Sequence, residues 1–180
     1  DGFWLIKKKG QTPIAISACG PAAEQATPEW YEKKGYKRFL PTRGPLAALT
    51  VPGTIAGWKL ALELDNPIRA IPLTELLSAA TERAKDGVAV TKNQHYTLAA
   101  KKNELASVSG FKDFYLDKGH EPEVGSKLLQ TKLGETLEHL GRAGLDDFYT
   151  GEMGKIHGEF LSNAGSPLKP SDFEKFKAEV

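Results

Sequence analysis

The sequence predicts an α+β fold that is mostly helical and has a strand pair at its N-terminus. Two short apolar runs, residues 3–6 and 13–16, flank the charged turn Lys7-Lys8-Lys9-Gly10, which is the pattern of a β-hairpin. We expect the basic run to be a solvated turn and not a binding patch. After Gly53 the apolar residues recur at helical spacing, in about six separate segments.

The region between the hairpin and the helices is rich in Pro and Gly. Residues 20–28 and 41–57 are the two dense segments. The second predicts an extended loop over residues 41–54 instead of an element of the core.

Six helices are expected in the rest of the chain. The first presents Ile55, Trp58 and Leu62 on one face, with Ala61 beside them, and Asn66-Pro67 ends it. The others are predicted between Pro72 and Gly87, over residues 91–105, around Leu133, Leu137 and Leu140 with Gly141 and Gly144 after them, over residues 152–161, and after a capping box of Ser171 and Glu174.

Length and composition narrow the functional classes. The chain has 180 residues, which is close to one domain at about 150 residues per domain. Lys plus Arg number 24 against 23 for Asp plus Glu, a balance that argues against nucleic acid or an anionic membrane as the partner. The single cysteine, Cys19, excludes an intrachain disulfide and a Cys-rich zinc site. The sequence does not fix the compartment, because a single cysteine fits both the cytoplasm and the periplasm. We slightly favour the cytoplasm.

Both ends of the chain have the character of a segment. The apolar strand pattern begins at Phe3, without an initiator Met, signal peptide or transit pattern, and a helical pattern ends just before Val180. We therefore expect the chain to be part of a larger fold.

The common catalytic motifs are missing from the sequence. It contains neither a Gly-rich phosphate loop followed by Lys-Ser or Lys-Thr nor a Gly-x-Ser-x-Gly elbow. Asp146-Asp147 could form a metal-binding pair, but a helix N-cap before Phe148 is the preferred interpretation. The four histidines have no paired metal spacing, so we expect ordinary helix or loop residues at His95, His120, His139 and His157.

Two residues are candidates for a binding site. Cys19 follows an apolar run and is expected to be buried at a strand end, where packing is the more common role than nucleophilic attack. Arg43 lies between Pro41 and Pro45 in a stiff loop, without an acidic neighbour in sequence. A pre-organised guanidinium suits a substrate carboxylate, although a surface Arg bonded to loop carbonyls explains the pattern equally well.

Several blocks of sequence resemble one enzyme family. Val-Pro-Gly-Thr-Ile-Ala-Gly-Trp at residues 51–58 is similar to the Val-Pro-Gly-Thr-x-x-Gly-Trp signature of the γ-glutamyltransferase (γ-glutamyltranspeptidase) family. Asp-Asp-Phe-Tyr-Thr-Gly at residues 146–151 resembles the family's Asp-x-Phe-Tyr-x-Gly element. Further similar blocks, in family order, are residues 1–4, 72–77, 84–90, 125–130 and 171–179.

The resemblance implies an N-terminal-nucleophile hydrolase, an αββα sandwich made as a self-cleaving precursor. In that family a Thr becomes the first residue of the small subunit, its hydroxyl is the nucleophile and its own α-amine is the base. The chain resembles part of the large (α) subunit over residues 1–180, upstream of the cleavage point. The implied catalytic residues are therefore absent from this chain, which alone would be inactive. The implied partners are the rest of the large subunit, the small subunit and a small amide substrate, and no metal or organic cofactor is required.

One departure from the family bears on the substrate. Glutathione-type members have an Arg in an Arg-Glu-Thr-Ala-Pro stretch that holds the γ-glutamyl carboxylate, and Cys19 stands at that position here. The loop at residues 42–47 looks more like the amidohydrolase and acylase branch, oxamate amidohydrolase among it. We therefore expect an amide hydrolase for a small acidic substrate, with Arg43 and Cys19 as the substrate-binding residues. A true γ-glutamyltransferase and a catalytically silent binding or scaffold homologue stay as alternatives, and an unrelated helical interaction module would require the ordered matches to be chance.

Overall fold

Helices dominate the structure, a computed structural model that describes residues 1–65 and 70–180. These residues form nine α-helices, which hold about half of the chain, with a short 3-10 turn at Pro45–Ala47 and two pairs of short strands. The elements are β1 Gly2–Ile6, β2 Ile14–Ala18, α1 Pro28–Glu32, α2 Thr54–Asp65, α3 Leu73–Asp86, β3 Val88–Ala89, α4 Lys92–Leu105, α5 Phe111–Tyr115, β4 Lys127–Leu128, α6 Thr131–Ala143, α7 Asp147–Thr150, α8 Glu152–Asn163 and α9 Pro170–Lys175.

The chain forms two compact units. One unit combines Asp1–Ala70 with Ala143–Val180, and the other is Ile71–Arg142. The first unit therefore contains the hairpin, α1 and α2 together with α7, α8 and α9. The second contains α3 to α6 and the strand pair β3–β4.

The predicted hairpin is confirmed. β1 and β2 pair antiparallel, with Gly2 opposite Ala18 and Ile6 opposite Ile14. The turn includes Gly10 at φ 77°, a left-handed conformation that glycine adopts without strain. A third segment joins the edge of β2, because Ser17 and Glu179 exchange backbone hydrogen bonds of 2.9 and 3.0 Å.

Helix α2 packs through small residues, which corrects the predicted face. Ala56, Gly57 and Ala61 are buried, whereas Leu62 is 43% exposed. A Cβ on Gly57 would lie 2.8 Å from the Ala18 Cβ, so the helix approaches β2 more closely than large side chains allow. The predicted end of this helix at Asn66-Pro67 lies outside the described residues.

The core of the first unit draws on residues far apart in sequence. Its buried cluster combines Val51 and Ala56 with Tyr149, Leu168 and Phe173. Val51 is 1% exposed, so the predicted extended loop at residues 41–54 does contribute to the core, contrary to expectation. The loop contains the 3-10 turn and a bridge between Thr50 and Ala22.

The second unit follows its sequence signals closely. Pro72 caps the start of α3 and Gly87, at φ 87°, caps its end, as predicted. The Thr91 hydroxyl accepts from the Gln94 N–H at 3.1 Å and so caps α4. Gly141 lies inside α6 and not after it, packed against Thr74 of α3.

The predicted capping box of Ser171 and Glu174 is wrong. Helix α9 begins two residues earlier than such a box requires, with Lys169 as its N-cap. The Asp172 carboxylate accepts from the Lys169 N–H at 2.8 Å. Asp172 therefore takes the role that the sequence pattern gave to Glu174.

Candidate functional site

The end of strand β2 is held by glycine contacts from the Val-Pro-Gly-Thr segment. A Cβ on Gly20 would lie 1.6 Å from the Val51 carbonyl oxygen, and one on Gly53 would lie 2.0 Å from the Ala18 carbonyl oxygen. No side chain fits at either position without moving the backbone. The segment at residues 51–58 therefore fixes where the chain leaves β2, next to Cys19.

Cys19 is exposed, so the expectation of a buried packing residue is wrong. Its neighbours on both sides are tightly held, because Ala18 is fully buried and the Gly20 N–H donates to the Asp1 carboxylate at 3.2 Å. The thiol is thus presented to solvent from a rigid backbone.

A cavity of about 480 Å³ opens beside Cys19 within the first unit. Cavities of about 300–1,000 Å³ are typical of small-molecule sites. One wall comes from the end of β2 and the turn after it, and the other from α9 and the residues that follow it. The lining residues with reactive or ionisable side chains are Cys19, Glu24, Asp172, Lys175, Lys177 and Glu179.

A backbone bridge joins the two walls of this cavity. Ser17 is the bridge partner of Glu179, with both backbone hydrogen bonds formed. Cys19 lies two residues after Ser17, Lys177 lies two residues before Glu179, and both residues line the cavity.

Two of the acidic groups in the lining already have partners. The Glu24 carboxylate accepts from Lys175 Nζ at 2.8 Å, and this hydrogen bond lowers the pKa of Glu24 and raises that of Lys175. Asp172 is buried, and its two oxygens accept from the N–H groups of Glu24 and Lys169, at 2.9 and 2.8 Å. Asp172 therefore joins the two walls of the cavity.

Arg43, the second candidate from the sequence, does not share this cavity. It is exposed, and its guanidinium Nη1 donates to the Thr42 carbonyl at 2.7 Å. The cavity lining includes Cys19 but not Arg43. The structure therefore does not bring the two predicted substrate-binding residues together in one cavity.

Tyr149, from the Asp-Asp-Phe-Tyr segment, makes two hydrogen bonds to the backbone of the Val-Pro-Gly-Thr segment and of the helix that follows it. Its hydroxyl donates to the Pro52 carbonyl at 2.8 Å and accepts from the Ala56 N–H at 3.0 Å. Burial raises the pKa of Tyr149 to about 12. The two sequence blocks that resemble family signatures therefore pack against each other in the core of the first unit.

The predicted cap at Asp146-Asp147 is confirmed in position but not in detail. Asp146 is the N-cap of α7 without a side-chain hydrogen bond to the helix, and its carboxylate pairs with Lys59 at 2.6 Å. Asp147 instead caps the next helix, since it accepts from the N–H groups of Glu152 and Met153, at 3.1 and 3.3 Å.

Histidines and other metal-ligating groups do not cluster in the described part of the chain. In residues 1–65 and 70–180, no group of three or more His, Cys, Asp or Glu side chains is placed to hold a metal ion. The His157 ring packs against Phe148 and Phe173, and burial lowers its pKa. His95 bonds the Pro122 carbonyl at 2.9 Å.

No helix in the described part of the chain is long and apolar enough to cross a membrane.

The lysines and carboxylates of the second wall were missed by the sequence analysis. Lys175, Lys177 and Asp172 belong to the block at residues 171–179, which was interpreted only as a helix with its cap. The signal that could have found them is the alternation of Lys177 with Glu179 after the helix, a period-two pattern typical of a strand.

Comparison with known proteins finds relatives that are named as proenzymes. The oxamate amidohydrolase proenzyme of Klebsiella pneumoniae is 39% identical over 180 residues, which cover 99% of this chain and 34% of that protein. A glutathione hydrolase-like proenzyme of Bacillus subtilis is 26% identical over 180 residues, 99% of this chain and 33% of its own length. The chain thus spans about a third of the length of these relatives.

A solved structure supports the same placement. The cephalosporin acylase of Bacillus halodurans superposes with a TM-score of 0.86 at 26% identity, covering 98% of this chain and 33% of that one. The agreement confirms the predicted fold class, a segment of an N-terminal-nucleophile hydrolase. The family profile described as gamma-glutamyltranspeptidase matches residues 1–180. The chain therefore belongs to the gamma-glutamyltranspeptidase family.

Proposed function

We propose that this chain is part of the large subunit of a self-processing amide hydrolase that acts on a small acidic substrate. The observation that carries the proposal is the 39% identity, over 180 residues, with a proenzyme named for the hydrolysis of oxamate. Oxamate is a small anion with one amide bond, so it matches the substrate class expected from Cys19 at the position of the family's Arg.

The chemistry of the proposed enzyme is acyl transfer to a threonine on another chain. The Thr hydroxyl attacks the amide carbonyl, its α-amine accepts the proton, and backbone amides stabilise the tetrahedral intermediate. Collapse of that intermediate breaks the C–N bond, and the protonated amine leaves. Water then attacks the acyl ester and releases the acid. We assign no catalytic residue and no cofactor to the present chain.

This chain would contribute substrate binding and the frame of the site. Cys19 lines a cavity of suitable size, and its backbone is fixed by the contacts of Gly20 and Gly53. Arg43 is the residue predicted from the sequence to hold the substrate carboxylate, and its loop lies in the same unit as Cys19. The rest of the large subunit and the small subunit would complete the enzyme.

The experiment is a comparison of two substrates with the complete protein. Release of ammonia from oxamate and of amine from a γ-glutamyl amide is measured side by side. A kcat/KM for oxamate well above that for the γ-glutamyl amide is the expected result. The reverse order would favour a glutathione hydrolase, an alternative supported by the 26% identity with a glutathione hydrolase-like proenzyme. Turnover of neither amide would favour the catalytically silent homologue.

A further inference from the structure

The cavity beside Cys19 contains a cation that the proposed function does not yet use. Lys175 and Lys177 are the two lysines in its lining. Lys175 is bound to Glu24 at 2.8 Å, so its charge is already compensated. Within the part of the chain that the structure describes, Lys177 makes no ion pair. Its ammonium group is therefore the one in this lining with its charge still to be matched.

Lys177 and Cys19 line the same cavity, on the two walls that the Ser17–Glu179 bridge joins. Each lies two residues from that bridge along its own wall. The cavity measures about 480 Å³, so it has room for a substrate of a few heavy atoms beside both side chains.

Two of the three acidic residues in the lining are already bonded to other groups of the chain. Both oxygens of Asp172 accept backbone N–H groups, and Glu24 is neutralised by Lys175. The third acidic residue, Glu179, is held by its backbone bridge to Ser17. Arg43, the cation that the sequence analysis proposed for the substrate carboxylate, lies outside the cavity and donates to the Thr42 carbonyl.

We propose that Lys177 binds the carboxylate of the acidic amide substrate in the cavity beside Cys19. This inference rests on the proposed function and deepens it, because it names a further substrate-binding residue and the group that it recognises. Lys177 donates hydrogen bonds to the carboxylate and takes no part in the transfer of the acyl group. It therefore acts on KM for charged substrates and leaves kcat nearly unchanged.

The test uses the complete protein and the variants Lys177→Met, Lys177→Arg and, as a control, Lys155→Met. Lys155 is exposed on α8 and does not line the cavity. Loss of one charge-assisted hydrogen-bonding partner is expected to raise KM for oxamate about 10- to 100-fold in Lys177→Met. Lys177→Arg should restore most of the affinity, and Lys155→Met should behave as the parent protein.

Oxamide, the neutral diamide, separates binding of the charge from a merely structural role. Lys177→Met should lose its advantage for oxamate over oxamide while turnover of oxamide stays near the parent value. An unchanged KM for oxamate, or equal losses for both amides, would overturn the inference. If the parent protein turns over neither amide, the proposed function fails, and calorimetric binding of oxamate then decides: binding that Lys177→Met abolishes supports the inference, and absence of binding refutes it.

Discussion

Removal of the Tyr149 hydroxyl is a small change that should weaken the backbone packing of residues 51–58. Tyr149→Phe keeps the ring in the core and removes one oxygen atom. That oxygen donates to the Pro52 carbonyl at 2.8 Å and accepts from the Ala56 N–H at 3.0 Å. Ala56 lies in the first turn of α2, where backbone N–H groups have no partner within the helix. The substitution therefore leaves a carbonyl and an amide without partners in a buried place.

The magnitude follows from the two lost hydrogen bonds. A buried polar group without a partner costs about 1–3 kcal/mol, and two such groups next to each other cost about 2–4 kcal/mol after relaxation. Each 1.4 kcal/mol is a factor of ten in an equilibrium constant, so local opening becomes roughly 30- to 1,000-fold more frequent.

Hydrogen exchange measured by mass spectrometry on the complete protein is the suitable assay. Peptides covering residues 51–65 should exchange faster in Tyr149→Phe by the factor given above. Tyr31→Phe is the matched control, because the Tyr31 hydroxyl donates a single hydrogen bond, to the Leu46 carbonyl at 2.8 Å. This control should change exchange near residues 44–48 and leave residues 51–65 as they are. Unchanged exchange of residues 51–65 in Tyr149→Phe would refute the role given to its hydroxyl.

Three further predictions concern packing, pH and substrate. Gly53→Ala would place a Cβ 2.0 Å from the Ala18 carbonyl oxygen, so it should lower the free energy of unfolding by more than about 4 kcal/mol or prevent folding. Gly2→Ala, which makes no contact below 3.8 Å, should change the free energy of unfolding by less than about 0.5 kcal/mol in urea denaturation. Burial lowers the pKa of His157 below 6.5, so its contribution to stability is present above pH 6.5 and is lost as the pH falls through the folded-state pKa. His157→Phe should remove this part of the pH dependence of the unfolding midpoint, and an equal slope in both proteins would contradict the prediction. Arg43→Ala should raise KM for oxamate by less than Lys177→Met does, because Arg43 lies outside the cavity beside Cys19; a larger effect of Arg43→Ala in steady-state kinetics would contradict the role given to Lys177.

Local signals in the sequence predicted the elements that depend on neighbours along the chain. The hairpin, the start of α3 at Pro72 and its end at Gly87 agree with the structure. Each depends on backbone conformations set within a few residues: a left-handed glycine, a fixed proline φ, an alternation of apolar side chains. The resemblance to a family identified the remaining blocks.

The candidate site was only partly predictable because it joins distant parts of the chain. Glu24 and Lys175 are 151 residues apart in sequence, and no periodicity links them. Cys19 was expected to be buried because it follows an apolar run, but it lies just beyond the end of β2 at Ala18 and is exposed. The buried face of α2 was predicted with large residues, whereas close approach to β2 selects Ala56, Gly57 and Ala61.

The central claim, that this chain is part of a self-processing amide hydrolase, is tested most directly by intact-mass spectrometry of the complete purified protein with N-terminal sequencing of every chain present. The account predicts two chains, of which the smaller begins with Thr. A single unprocessed chain, or a second chain that begins with none of Thr, Ser or Cys, would contradict it.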